Sequence, residues 1–242
     1  FKIGFGTPTR MPEIASSYDH ARFMNDAWRN KEMDLSEDPG MYGIYTEEEL
    51  QKFRDGSDPY GYPNTDWNKE VLLPRAWQQM HSLTASGGSD KVKYFAGFGY
   101  VKQDALYGDT RTNKSTSGFN RYNARVNIDA NIVDKYLNLS ADMAYRQEDR
   151  NSIAGSTSDV FNNMHRNPQT DPGRFPDGNL GKVSLGVNPI GLATEGGWVK
   201  DRKSVLNTRF MLDFNVPGLE GLNLKGIFSY DKIFNSIKRW TT

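Results

Sequence analysis

An all-β fold, an antiparallel meander of about seven strands of the transmembrane β-barrel kind, is predicted by three features of this sequence. The first is alternation. In "FNRYNARVNIDANI" (Phe119–Ile132), Tyr122, Ala124, Val126, Ile128, Ala130 and Ile132 alternate with Asn123, Arg125, Asn127, Asp129 and Asn131. A period of two gives a strand with one apolar and one polar face. The second is length: the alternating runs span about 11 to 16 residues, against ~5–6 for a globular strand and ~9–11 for a tilted membrane strand. The third is rhythm. The connections run long, short, medium, short, long, short, which matches short turns at one end of a barrel and long loops at the other. Alternation alone also fits a soluble sandwich, whose apolar faces pack on each other.

Taken in order, "FKIGFG" reads as the end of a strand, followed by a long loop over about 7–75. Within that loop Ser16 and Ser17 precede "YDHARFMNDAWRNKEM", where Tyr18, Ala21, Phe23, Met24, Ala27 and Trp28 recur at helical spacing behind a serine cap and an acidic first turn. Thr46 before "EEELQKF" predicts a second short helix. "AWQQMHSLTAS" and "KVKYFAGFGYVKQ" flank the turn "GGSD" and form a hairpin. After the polar loop "YGDTRTNKSTSG" comes the alternating strand at Phe119–Ile132, then a link near Val133–Lys135 and "YLNLSADMAYRQ". A second long loop is expected over about 150–203, and a last hairpin joins "SVLNTRFMLDFNV" to "LNLKGIFSYDKIF" through "PGLEG". Aromatic residues near strand ends (Tyr107, Phe119, Tyr122, Tyr136, Tyr145, Phe234, Trp240) suit interfacial girdles.

Composition narrows the function. Thirty Lys and Arg balance thirty Asp and Glu, so the basic excess of a nucleic-acid binder is lacking. Cysteine is absent, which excludes disulfides and thiolate metal sites. A hydrophobic fraction of 36% is compatible with a barrel, because only the lipid-facing half of each strand must be apolar.

Several segments resemble the SusC/RagA family of TonB-linked outer-membrane importers: "YPNTDW" (Tyr62–Trp67), "HSLTASGGSDKVKYFAGFGYVKQDALY" (His81–Tyr107), "FNRYNARVNIDANIVDKYLNLSADMAY", and Asn188–Pro189 inside a long loop. The resemblance spans almost the whole chain. It implies integral residence in the bacterial outer membrane and a barrel of about 22 strands, of which residues 1–242 form an early part. The barrel's own plug domain and the segment that contacts TonB are expected outside these residues. The implied partners are a SusD-like surface lipoprotein, the plug, TonB, membrane lipid and a glycan or peptide nutrient. The implied activity is transport, not catalysis. A passive porin and a soluble carbohydrate-binding sandwich are the alternatives.

The candidate residues follow. Arg125, Asp129, Asp142, Arg146, Arg209 and Asp213 are expected on the polar strand faces, turned to the lumen and plug. Tyr60, Tyr62, Trp67, Phe161, Phe175 and Trp198 are the loop aromatics that could stack on ligand, with Tyr42 and Tyr45 among their neighbours. "YPNTDW" also reads as a structural staple of the first loop. His20, His81 and His165 fit no zinc spacing. An Asp129–Asp142 acid pair is outweighed by solvated carboxylates beside Arg125 and Arg146. No cofactor is expected; Asp171 and Asp177 could hold calcium, but their spacing favours turn chemistry.

Overall fold

The computed structural model describes residues 1–30 and 45–242. The end of the first predicted helix beyond Asn30, and Tyr42, lie outside the described residues. Strand β1 (Lys2–Gly6) leads into helices α1 (Ser17–Asn30), α2 (Glu47–Asp55) and α3 (Trp67–Val71). Strands β2 (Ala76–Gly88) and β3 (Val92–Asp104) form the first long hairpin, and β4 (Gly108–Asp109) and β5 (Lys114–Ser115) pair in the loop above it. Strands β6 (Gly118–Val133) and β7 (Leu137–Ile153) follow, then α4 (Thr157–Arg166), α5 (Pro189–Thr194), β8 (Trp198–Asn215) and β9 (Asn223–Trp240).

Seven strands make one antiparallel sheet in the order β1-β2-β3-β6-β7-β8-β9. The register carries one face across all of them. Tyr100 lies opposite His81 and Tyr122, Val126 opposite Ala96 and Met143, and Phe210 opposite Ala141 and Phe228. The apolar runs are Tyr122–Ile132 on β6, Leu137–Tyr145 on β7 and Leu224–Phe234 on β9, each about ten residues. At ~3.3 Å per residue and a tilt near 40° such a band is roughly 25 Å tall. These side chains are open: Leu83 is 71% exposed, Met143 46% and Phe228 62%. Among the described residues no second large sheet covers them.

Three strands outrun their alternation. β7 continues to Ile153, β8 begins at Trp198 and β9 ends at Trp240, so the second long loop is 154–197, not 150–203. The reason is chemical. Beyond Tyr122 and Tyr145 the formerly apolar face carries Asn120, Asp149, Arg202 and Ser236, directly paired across β6, β7, β8 and β9. Both faces are then polar, and the hydropathy period vanishes while the backbone ladder persists. One row of directly opposed residues closes the apolar band: His81, Tyr100, Tyr122, Gln147, Ser204 and Phe234. The rings of Phe1 and His81 lie tilted with centroids 4.6 Å apart, and those of Tyr100 and Tyr122 at 5.0 Å. The girdle expectation needs three corrections. Tyr107 is buried among the loops, Phe119 alternates onto the polar face, and Trp240 stands above the band opposite Trp198.

The long loops converge at one end and build their own core. Trp67, Val71, Tyr107, Ile153, Val160, Met164, Ile190 and Ala193 pack together, drawn from both long loops, the medium connection between β3 and β6, and the top of β7. A smaller cluster joins Ala21 to Leu50 and Phe53. Local signals start each helix. Ser16 Oγ accepts from Asp19 N at 3.1 Å, Thr46 and Glu49 form a capping box, and Asp66 accepts from Asn68 N and Lys69 N. Asn188 caps α5 ahead of Pro189 in the first turn.

Candidate functional site

The polar sheet face brings all six predicted residues together. Arg125 and Asp129 of β6, Asp142 and Arg146 of β7, and Arg209 and Asp213 of β8 share it, as their register requires. Asp142 is the centre of the network. Its Oδ1 accepts from Asn127 Nδ2 at 2.7 Å, and its Oδ2 accepts from Arg209 Nη2 at 2.8 Å. Arg125 Nε donates to Asn127 Oδ1 at 2.9 Å. One carboxylate therefore links three strands. Its ionic partner is Arg209, not Arg125 or Arg146; Arg146 pairs with Glu148 at 3.5 Å. Ser140 Oγ donates to Asp129 at 2.6 Å, while Asn223 and Lys225 bind Asp213. Asp129 and Asp142 are thus each engaged by separate donors, as structural carboxylates are.

The loop aromatics divide by burial. Trp67 is wholly buried, and its Nε1 donates to Pro168 O at 3.2 Å. It presents no face to a ligand; it is the staple that fastens the first long loop to the second. Phe161 packs half-buried against the same core, and Phe175 is half-buried in the turn where its own N–H donates to Asn179 O. Trp198 belongs to β8, not to a loop. Tyr45 and Tyr62 lean edge-on against Phe53 at 5.4 and 5.2 Å. Tyr60 remains 54% exposed.

Tyr60 and Tyr62 line a cleft of about 430 Å³ between the first and second long loops, together with Asn64, Lys69, Glu70 and Arg174. Thr65 clamps its floor: its N–H donates to Gln169 O at 2.9 Å and its Oγ1 to Asp171 O at 2.6 Å. Burial, reinforced by Asp66, pushes the Glu70 carboxyl above the usual carboxylate range against the pull of Arg174 and Arg111. Arg174 is held by Glu195 Oε1 at 2.9 Å. The cleft offers an open aromatic face beside cations and a carboxyl, the combination that grips flat polar ligands. Arg174, Glu70 and Lys69 escape sequence reading because nothing local signals that residues near 65 and 170 meet.

Asp171 accepts from Ser184 N and Oγ at 2.8 and 2.9 Å, and Asp177 accepts from Asn179 N at 2.9 Å. Both carboxylates tie the loop's own backbone. Among the described residues no three His, Asp or Glu side chains cluster for a metal. His165 Nδ1 lies 2.8 Å from Phe161 O within α4, and His81 packs tilted against Tyr100 in the aromatic row.

No protein-family model and no curated protein matches the sequence. Solved structures match its shape. A chain of the RagAB peptide importer in its "open-open" state superposes with a TM-score of 0.64 at 17% identity, covering 97% of this chain and 27% of that one. A chain of the RagAB peptide transporter gives 0.61 at 18% identity, with 95% and 27% covered. The chain thus spans about a quarter of the length of those proteins. At such identities the likeness establishes the fold: a mostly β chain whose seven-stranded antiparallel sheet is a β-barrel fragment.

Proposed function

We propose that the chain is part of a bacterial outer-membrane, TonB-dependent importer of peptide or glycan nutrients. The apolar sheet face meets lipid, and the face carrying Arg125, Asp129, Asp142, Arg146, Arg209 and Asp213 lines the lumen against a plug domain. The loop layer points outward, where the Tyr60–Arg174 cleft captures ligand beneath a SusD-like surface lipoprotein. Ligand passes unchanged when TonB remodels the plug. The observation that carries this reading is the open apolar band, about ten residues tall on long paired strands and bounded by an aromatic row. The likeness in shape to peptide importers and the loops gathered at one end support it. The test is uptake of labelled peptides and oligosaccharides by cells carrying or lacking the whole gene. Uptake that requires the gene and stops on adding a protonophore is expected. Gene-dependent uptake indifferent to the protonophore would establish a passive porin instead.

A further inference from the structure

Two rows beyond the aromatic row, on the same sheet face as the apolar band, two lysines oppose each other. Lys200 of β8 lies directly across from Lys238 of β9. Arg202 sits one row nearer the band, opposite Ser236. Like charges directly opposed across a ladder destabilise a sheet, and neither lysine has a carboxylate within 4.0 Å among the described residues. Asp149 is taken by Arg202 at 2.6 Å, and Asp201 belongs to the other face by alternation. Together with Asn120, Asn151 and Ser236 these residues line a depression of about 390 Å³. One row further out Trp198 and Trp240 face each other, with Lys200 Nζ 4.5 Å over the Trp198 ring. From the band outward the order is therefore aliphatic, aromatic, cationic, indole.

We infer that this face binds a phosphorylated glycolipid of the membrane's outer leaflet. Its acyl chains lie on the apolar band, its phosphate between Lys200, Lys238 and Arg202, and its sugar against Trp198 and Trp240. The phosphate supplies the anion that the lysine pair lacks, and the indoles offer flat faces to a sugar ring. The inference rests on the reading that the apolar face meets lipid.

The test purifies the full-length protein from its native membrane in mild detergent and quantifies retained phosphoglycolipid by native mass spectrometry. Wild type is compared with the double variant Lys200→Gln, Lys238→Gln. Removing mutually repelling lysines leaves barrel assembly intact, which resistance to unfolding in cold SDS verifies. Each cation near a membrane anion contributes about fivefold, so the double variant is expected to retain roughly thirtyfold less glycolipid. Retention unchanged in the variant, or none in wild type, would overturn the inference. So would equally strong binding of the deacylated sugar phosphate, which would mark a soluble ligand. Lipid-phase labelling of a Val126→Cys variant in the native membranes, before extraction, separates the two readings. If it succeeds while glycolipid is absent, only this inference fails; if it fails, the lipid-facing band fails with it.

Discussion

Replacing Val126 with lysine puts a charge at mid-height of the β6 apolar run, between Ala96 and Met143 on the neighbouring strands. Those neighbours carry no carboxylate to receive it. At the bilayer midplane such a charge costs about 2–4 kcal/mol. Val126 is already 40% exposed to whatever lies outside the sheet, so in water the same change costs about 0.5 kcal/mol or less. Ser140→Lys is the control. It lies on the opposite face, beside the Asp129 carboxylate that Ser140 now contacts at 2.6 Å, and its change is expected within ~0.5 kcal/mol. Both are measured by urea titration of the full-length protein folded into phosphocholine vesicles. A cost for V126K within ~0.5 kcal/mol of that for S140K would refute the assignment of the faces.

Three further outcomes concern the loop layer. Trp67→Ala removes a fully buried indole and its bond to Pro168; it is expected to cost ~3–5 kcal/mol locally, seen as rapid proteolysis between residues 45 and 75 while the sheet stays protected. Glu70 has a raised pKa in the folded protein, so ionising it weakens the loop layer; the penalty is absent below about pH 4 and is complete once pH has risen through the folded value. Glu70→Gln should therefore protect the loops against proteolysis at pH 7 and change nothing at pH 4; equal effects at both would remove the burial account. Gly197 sits at φ +97°, and an added Cβ would meet Trp240 O at 2.2 Å. Gly197→Ala is expected to fray the β8–β9 end by more than ~1 kcal/mol, read by amide exchange at Trp198–Lys200.

The sheet was legible because one of its faces is apolar. β6 and the lower half of β7 declare themselves through Val126, Ile128, Leu139 and Met143, each set between polar neighbours. The extensions to Ile153 and Trp240 carry polar groups on both faces, so only the backbone ladder reveals them. The caps at Ser16 and Thr46 act over three residues and were readable. Asp66 and Asn188 cap α3 and α5 in the same way, but those helices have only five and six residues and leave little room for apolar periodicity; α4, capped by Ser156, sets Val160 and Met164 one turn apart, a signal as plain as that of α2. What no local pattern carries is the meeting of Trp67 with Pro168, 101 residues apart. The choice of Arg209 as partner for Asp142 is equally hidden, since it depends on the β7–β8 register across a long loop.

The face assignment stands or falls on β6. Residues 1–242 contain no cysteine, so single cysteines placed from Tyr122 to Ile132 of the full-length protein, with any cysteine outside these residues replaced by serine, each report one position. In native membranes a lipid-phase probe should label positions 122, 124, 126, 128, 130 and 132, with positions 123, 125, 127, 129 and 131 left unlabelled. Labelling that is uniform, or strongest at the positions now held by Arg125 and Asp129, would contradict the account.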